Sequence, residues 1–317
     1  MKEKTRSRFV KKSMKILIGV VVVLIIGLIF AGNYFYNYAV VPTEKDFLGD
    51  GSWEKSEEQI QAENWFTDEN NRTTWQLTSA DDLKLSAIYL PAEKDEKKTA
   101  IVAHGYMGKA EDMAEYAELY HNLGYNVLVP DARGHGSSEG DYIGFGWDER
   151  KDYVKWIQEV LKKTNSDESI VLHGVSMGAA TVMMTSGEKL PDNVKAIIED
   201  CGYTSAKDEL SYQLKEMFNL PSFPLIPMTS LVTKVRAGYF FGEADAVKQL
   251  KKNKTPMLFI HGDKDDFVPF YMLDEVYAAT DAPKEKYVVA GAGHAQAMSK
   301  DPAKYKETVE NFIAAHP

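Results

Sequence analysis

A G-x-S-x-G motif in the middle of the chain contains the residue best suited to nucleophilic chemistry. It reads GVSMG at residues 174–178 and follows a short apolar run at residues 170–172. A strand, a sharp turn and a helix form the setting in which the serine of this motif acts as a nucleophile. Because so tight a turn brings the neighbouring backbone segments together, the positions two before and two after the serine must be small, and both are glycine. The motif therefore predicts that Ser176 is a nucleophile.

Ser176 needs a base, because a serine hydroxyl is a poor nucleophile at neutral pH. The base is usually a histidine that a carboxylate holds in place, and the chain order for this motif is serine, acid, histidine. Three histidines follow Ser176, namely His261, His294 and His316. His316 is the penultimate residue, and His261 lies in the same turn as the candidate acids. Since His294 follows the last predicted strand on a loop of small residues, we expect it to be the base.

The candidate acids follow another predicted strand, at residues 256–260. They are Asp263, Asp265 and Asp266. In parallel sheets, sites assemble at the loops after the carboxyl ends of the strands, so each of these aspartates is suitably placed. Spacing alone does not choose among them.

Strands and helical segments alternate from residue 99 to the C-terminus, which predicts repeated βαβ units. The expected fold class is therefore α/β, with a mainly parallel central sheet covered by helices on both faces. Two further segments, at residues 73–77 and 83–90, are predicted strands joined by a turn signal. The second begins with alternating apolar and polar residues, which predicts a half-buried antiparallel hairpin at one edge of the sheet. The apolar runs that predict buried strands lie at residues 99–103, 126–130, 170–172, 194–199, 256–260 and 286–289.

The alternation stops between residues 203 and 249. Helical patterns at residues 210–220 and 230–241 flank a proline-rich stretch, and Met, Phe and Tyr are frequent in this region. We interpret residues 203–249 as a small helical cap that folds over the site. The alternative is a pair of additional core helices at the edge of the sheet.

The N-terminal region predicts a transmembrane helix. Residues 1–15 carry seven basic side chains against Glu3 alone, and an unbroken run of apolar residues and glycine follows. Extended to residue 36, this run is close to the ~20 residues that a helix needs to cross a bilayer. A cleaved signal peptide is the alternative, but the aromatic residues that follow the run suit a membrane interface, so we favour a retained anchor. The positive-inside tendency places the N-terminus in the cytoplasm and the remainder outside.

The chain thus divides into four predicted regions. They are a basic tail at residues 1–15, a transmembrane anchor at 16–36, a juxtamembrane linker with one short helix at 37–70, and a catalytic domain at 71–317. The net charge of the whole chain is −10 in spite of the basic tail. An acidic soluble part argues against nucleic-acid binding, which needs a basic surface. The only cysteine is Cys201, so the chain cannot form an internal disulfide or a Cys-based metal cluster, and we expect Cys201 to be a small buried apolar residue.

From residue 83 to the C-terminus, the chain resembles the α/β-hydrolase superfamily, most closely its bacterial prolyl-oligopeptidase-like and serine-aminopeptidase-like members. The resemblance spans about three quarters of the chain and does not include the predicted anchor. It is specific for the fold and the triad but not for the substrate. The matching motifs are HGYMG at residues 104–108, DARGHGSS at 131–138, GVSMG at 174–178, HGDKDDFVP at 261–269 and Gly293-His294.

The resemblance implies a role for each motif residue. Ser176 is the nucleophile, and His294 is the general base and later the acid. In the family's H-G-x-x-D-x-x-V-P pattern, the triad acid is the aspartate that here is Asp265. The oxyanion of the tetrahedral intermediate needs hydrogen-bond donors. One is expected to be the backbone N–H of Met177, directly after the nucleophile, and the resemblance points to the backbone N–H of Tyr106 as the other.

Three further polar residues in these motifs, His104, Arg133 and His135, are expected to hold loops together rather than to take part in chemistry. The expected activity is hydrolysis of a carboxylic ester through an acyl-enzyme, without a cofactor or a metal. The expected partners are a small-molecule ester or short peptide substrate and the membrane. Hydrolysis of short peptides is the alternative activity, and a catalytically silent, membrane-tethered binding protein is the alternative from another class. Cofactor-free haloperoxidase or lyase chemistry on the same fold also stays open.

Overall fold

The computed structural model describes residues 2–43, 45, 55–94 and 96–317. The chain divides into two compact units. The larger contains Pro42–Glu209 and Phe241–Pro317, and the smaller contains Met1–Val41 and Leu210–Phe240. Each is described by itself below.

The larger unit is built on a sheet in which eight strands are described, in the order β1-β2-β4-β3-β5-β6-β7-β8. The pairs β1–β2 and β2–β4 are antiparallel, and all other neighbouring strands are parallel. The predicted α/β class, the mainly parallel sheet and the antiparallel edge hairpin are therefore confirmed. The strands are β1 (Thr73–Thr78), β2 (Lys84–Leu90), β3 (Lys98–Ala103), β4 (Asn126–Pro130), β5 (Ser169–Val175), β6 (Val194–Asp200), β7 (Met257–Gly262) and β8 (Lys284–Val289).

The described helices bridge successive strands or extend from the chain ends. The interior strands β4 and β7 are buried at every position, which is the pattern of parallel strands covered on both faces. The helices are α1 (Lys2–Ala39), α2 (Glu57–Thr67), α3 (Ala114–Asn122), α4 (Glu149–Lys163), α5 (Met177–Ser186), α6 (Ala206–Phe218), α7 (Ser222–Ala237), α8 (Ala246–Leu250), α9 (Tyr271–Ala279), α10 (Ala297–Lys300) and α11 (Pro302–Ala314).

Helix α2 lies within the predicted linker but belongs to the hydrophobic core of the larger unit. Its N-terminus has a capping box, in which Ser56 and Gln59 each bond the other's backbone N–H through their side chains. Ala62 and Phe66 are fully buried in the core. The larger unit begins at Pro42, and the boundary of the catalytic domain at residue 71 stays a prediction. Residues 46–54 of the predicted linker lie outside the described residues.

The smaller unit combines the N-terminal helix with part of the predicted cap. The stretch Lys11–Ala39 of α1 is long and apolar enough to cross a membrane, a test that a signal sequence also passes. Helix α7 and the end of α6 complete the unit. The compact insertion is Leu210–Phe240, shorter than the predicted 203–249, because its flanks belong to the larger unit. That the insertion covers the site stays a prediction.

A buried ion pair fixes the loop after β4. Arg133 donates two hydrogen bonds to the carboxylate of Asp152 on α4, at 2.8 and 2.9 Å, and two to that of Asp81, at 2.8 and 3.1 Å. The side chains of Arg133 and Asp152 are only 3% and 5% exposed. This bidentate geometry agrees with the expectation that Arg133 ties loops together.

Replacing Arg133 by Met should lower the free energy of unfolding by about 3–5 kcal/mol, because it leaves the buried charge of Asp152 without its partner. The matched control is Lys162→Met, which removes an exposed ion pair with Glu159 and should cost less than about 1 kcal/mol. Urea unfolding followed by circular dichroism measures both. Equal losses in the two variants would contradict the structural role of Arg133.

Candidate active site

The turn between β5 and α5 holds Ser176 in a strained conformation. Its φ of 57° and ψ of −117° lie in a region that residues other than glycine rarely adopt. The Ser176 N–H donates to the carbonyl of Asp200 on the neighbouring strand at 2.8 Å, and Ala180 donates to the Ser176 carbonyl at 3.0 Å. These bonds attach the turn to the sheet at one end and to the helix at the other.

The two flanking glycines are required by close backbone contacts. A Cβ on Gly174 would overlap the carbonyl oxygen of Gly178, and a Cβ on Gly178 would overlap the carbonyl oxygen of Ala103 at the end of β3. The expectation that small residues must flank the serine therefore has an atomic cause. The turn leaves no room for a side chain on either side.

Three side chains from three loops form one hydrogen-bonded line. His294 Nε2 lies 2.8 Å from Ser176 Oγ, and His294 Nδ1 lies 2.8 Å from Asp265 Oδ2. Since a carboxylate only accepts, Nδ1 carries the proton and Nε2 is left to accept from the serine hydroxyl. The structure thus brings together Ser176, Asp265 and His294 in the arrangement that activates a serine.

Of the three candidate acids, Asp265 is buried and hydrogen-bonds His294. Its other carboxylate oxygen accepts the backbone N–H groups of Phe267 and Val268, at 3.0 and 2.9 Å, so the side chain is held from both sides. Asp263 instead accepts from the N–H of Gly291 at 2.6 Å, which ties two loops together. Asp266 is exposed.

His261 is a contact of Asp265 that the sequence reasoning did not assign. Its Nε2 lies 3.2 Å from Asp265 Oδ2 and 3.0 Å from the carbonyl of Val268. Burial raises the pKa of Asp265, but the hydrogen bonds and charges of His261 and His294 outweigh this effect and lower the pKa to about 2. Asp265 is therefore ionised throughout the neutral range. The sequence could have indicated this contact, because His261 begins the motif that contains Asp265.

The loop after β3 lies against the nucleophile. A Cβ built on Gly105 would be 3.5 Å from Ser176 Cβ and 3.9 Å from its Oγ, so the peptide that leads to Tyr106 adjoins the hydroxyl. Met177, the other expected oxyanion donor, is the first residue of α5, where backbone N–H groups are not used by the helix itself. The structure places both residues next to Ser176. Their part in catalysis stays a prediction.

Two buried histidines connect this loop with the loop after β4. His104 Nδ1 donates to the carbonyl of Gly105 at 2.8 Å, and its Nε2 accepts from the N–H of Ala132 at 2.9 Å. His135 Nε2 accepts from the N–H of Met107 at 3.2 Å. Burial lowers the pKa of His104 to about 3 and also lowers that of His135. Both rings are thus neutral and serve as fixed donor–acceptor links, as expected.

Comparison with known proteins identifies the family. The family model described as serine aminopeptidase, S33, matches residues 94–220. The protein YqkD of Bacillus subtilis is 33% identical over 225 residues, which cover 71% of this chain and 74% of the relative. The chain belongs to the α/β-hydrolase superfamily. The resemblance stated from the motifs is therefore confirmed.

Two further relatives of this hydrolase agree with that assignment. A thermostable monoacylglycerol lipase of Bacillus sp. is 22% identical over 250 residues, which cover 68% of this chain and 90% of the lipase. The structure of an esterase from Pyrococcus furiosus superposes with a TM-score of 0.62 at 23% identity, covering 77% of this chain and 90% of the esterase. At such identity the structural likeness supports the fold alone.

The hydrolase also buries two carboxyl groups at the end of β6, one strand away from the nucleophile. Glu199 accepts from the N–H of Gly202 at 2.9 Å through Oε2, whereas its Oε1 has no partner among the described residues. Burial raises the pKa of Glu199 to about 8. Asp200 accepts from the hydroxyl of Tyr305 at 2.9 Å, and burial raises its pKa to about 6. Glu199 is thus neutral at pH 7 and cannot supply a negative charge to the site.

One trio of side chains has the composition of a metal site. The ligand atoms of Cys201, Asp265 and His294 lie within 4.8 Å of one another. Two of the three already hydrogen-bond each other in the line that ends at Ser176. Burial raises the pKa of the Cys201 thiol, which disfavours the thiolate that a metal requires. We therefore assign no metal to this trio.

Replacing Gly178 by Ala should disrupt the turn, because the new methyl group would overlap the backbone of β3. We expect a loss of at least about 2 kcal/mol of stability, of the order found for overpacked sites, together with loss of hydrolase activity. Gly242→Ala is the matched control, since a Cβ there meets nothing within 4 Å. Thermal unfolding and ester turnover of both variants test the prediction, and an active, stable Gly178→Ala protein would contradict it.

The raised pKa of Glu199 predicts a pH-dependent loss of stability. In the unfolded chain a glutamate titrates near ~4.3, whereas folded Glu199 keeps its proton up to about pH 8. As the pH rises from about 4 to about 8, the unfolded state releases a proton that the folded state retains, so stability falls over this interval. Glu199→Gln removes this contribution. The Tm advantage of the variant should therefore grow between pH 5 and pH 8, and a difference that does not change with pH would refute the assignment.

Proposed function

We propose that this α/β hydrolase is a serine hydrolase that cleaves carboxylic esters through an acyl-enzyme on Ser176. The observation that carries the proposal is the unbroken line from Ser176 Oγ through His294 to Asp265, with both contacts at 2.8 Å. The buried, ionised Asp265 supports it, because a carboxylate in this position stabilises the imidazolium that forms when His294 takes the serine proton.

In the proposed reaction, His294 removes the proton of Ser176 as the hydroxyl oxygen attacks the ester carbonyl carbon. The backbone N–H groups of Tyr106 and Met177 stabilise the oxyanion. His294 then protonates the leaving alcohol. A water molecule activated by the same imidazole hydrolyses the acyl-enzyme and restores Ser176.

Esters are preferred over peptides in this proposal, although the family model that matches the chain is described as a serine aminopeptidase. An aminopeptidase site needs an anion for the ammonium group of its substrate. Glu199, Asp200 and Glu209 are acidic candidates, but all three are buried. Burial raises the pKa of Glu199 to about 8 and that of Asp200 to about 6. The likeness to a monoacylglycerol lipase also favours ester chemistry. A catalytically silent binding protein is disfavoured, because strained backbone conformations such as that of Ser176 are concentrated at functional sites.

We also propose that α1 is a retained single-pass anchor, with residues 1–15 in the cytoplasm and the hydrolase unit outside. The helix continues without interruption to Ala39, beyond the apolar run. Tyr36 and Val40 are 3% and 0% exposed, so the residues just after the run are packed within a folded unit. Cleavage there would require this helix to open, which favours an anchor over a signal peptide.

Replacing Ser176 by Ala should abolish labelling by a fluorophosphonate probe, because the nucleophilic oxygen is removed. His294→Ala should keep the fold but reduce kcat about 10⁴–10⁶-fold, as for members of such triads. Asp266→Asn is the control, since this neighbouring aspartate is exposed. Gel-based labelling and circular dichroism provide the measurements. Wild-type protein that hydrolyses esters without being labelled would refute covalent catalysis at Ser176.

A substrate panel separates the candidate functions. We expect kcat/KM to be higher for p-nitrophenyl acyl esters than for aminoacyl p-nitroanilides, because Glu199 and Asp200 are both fully buried and not exposed to a substrate ammonium group. Ser176→Ala measures the background with each substrate. A preference for aminoacyl amides would favour the peptidase, and a folded protein inactive on both classes would favour the binding protein.

A further inference from the structure

The smaller unit contains a helix, α7, that buries two polar side chains together with Ile226 and Ala237 and exposes large apolar ones. On α7, the side chains of Thr229 and Thr233 are buried, at 2% and 0% exposure. Leu231 and Val235, four residues apart on another face, are 49% and 80% exposed. Phe223 at the start of the helix is 77% exposed. Soluble helices place polar residues outside and apolar residues inside.

The buried threonines do not require water. Thr229 donates its hydroxyl proton to the carbonyl of Leu225 at 2.9 Å, and Thr233 donates to the carbonyl of Thr229 at 2.8 Å. Both hydroxyl groups are therefore satisfied within the helix itself. This arrangement is the one by which polar side chains are tolerated in helices away from water.

Helix α7 packs against the last turns of the apolar helix α1. Gly32 permits this approach, because a Cβ there would be 2.8 Å from Met228 Cγ. Near the other end of α7, Arg236 donates to the side-chain oxygens of Asn33 and Asn37, both at 2.8 Å. Its guanidinium also lies 4.0 Å from the centre of the Tyr36 ring. The contact is thus specific and joins α7 to the C-terminal end of the predicted span.

The end of α6 joins the same region of α1. The ring of Phe218 meets those of Phe35 and Tyr38 edge to face, each with a centroid distance of 5.3 Å. Aromatic clusters of this kind lie at the level where a spanning helix leaves the hydrocarbon. The exposed apolar surface of α1 continues up to this level, with Phe30 73% exposed. The exposed face of α7 therefore continues a surface that the anchor already presents to lipid.

We propose that the exposed face of α7, formed by Leu231 and Val235, lies in the lipid bilayer beside α1. The inference rests on the proposed anchor and adds a second membrane contact, made by a segment about 190 residues further along the chain. The lipid acyl chains cover the aliphatic side chains. The two basic residues near the C-terminal end of α7, Lys234 and Arg236, lie toward the headgroups, where long basic side chains extend from an apolar surface.

The test uses the full chain reconstituted into phosphatidylglycerol–phosphatidylcholine vesicles, with an environment-sensitive fluorophore on a single introduced cysteine. Val235→Cys and Leu231→Cys should be quenched by doxyl-labelled lipid and protected from iodide, since interfacial helices are immersed by about 5–10 Å. Glu310→Cys, on the exposed surface of α11, should show the reverse. The wild-type chain, whose Cys201 is buried, measures background labelling.

A label at Val23→Cys, within the apolar run, distinguishes failure of the inference from failure of the anchor. If Val23 is quenched by lipid while Val235 and Leu231 behave like Glu310, the anchor holds and the proposal for α7 is overturned. If none of these positions is quenched by lipid, both are overturned. Energy transfer between labels at Val235 on different chains, without quenching by lipid, would show that a second copy covers this face and would also overturn the proposal.

Discussion

The close approach of the β5–α5 turn to the end of β3 is the contact on which the rest of the site depends. Ser176 adopts a left-handed φ of 57° there, and Gly178 packs directly on the carbonyl of Ala103. Strain of this kind costs roughly 1–3 kcal/mol and persists only where the surroundings over-determine it. Here the surroundings are two parallel strands buried on both faces, β3 and β5, which cannot separate without opening the core. The sheet thus holds the hydroxyl out from the backbone at the edge where the loops converge.

The loops that surround Ser176 are positioned by buried polar groups that do not themselves react. His104 and His135 are neutral because burial lowers their pKa values, and each uses one ring nitrogen as a donor and the other as an acceptor. Protonation would turn the acceptor into a second donor and break the link. Arg133 plays a comparable part as a permanent cation held by Asp152. The two neutral rings join the loops after β3 and β4, and the paired cation attaches the loop after β4 to α4.

The two compact units of this α/β hydrolase expose different kinds of side chain. In the larger unit, apolar side chains fill the strands and charged side chains cover the outside. In the smaller unit, aliphatic side chains of α1 and α7 are exposed and threonines are buried. The buried Thr229 and Thr233 are tolerated because each donates its hydroxyl proton to a carbonyl of its own helix.

Local patterns in the sequence were sufficient for the fold class and for most of the site. These patterns are the G-x-S-x-G motif, the position of His294 after the last strand and the alternation of strands with helices. Each depends on short segments whose geometry is set by neighbours in the chain. Strand pairing then brings the loop ends together, so Ser176 and His294 could be named before any contact was known. The sequence also predicts that loops are held together by His104, Arg133 and His135, but it does not identify the partners of these side chains.

The identity of the triad acid, the place of α2 and the pairing of α7 with α1 were decided only by the tertiary structure, because they depend on contacts between distant segments. Spacing alone does not distinguish Asp263, Asp265 and Asp266. The structure does, because Asp265 is buried and hydrogen-bonds His294, whereas Asp263 accepts from Gly291. The sequence predicts that helix α2 is part of a linker. Two buried side chains in a short polar helix are too weak a signal to predict its place in the core. The pairing of α7 with α1 depends on Gly32 and Arg236, whose partners lie about 200 residues away. Such partners are chosen by packing, and packing is a property of the folded chain.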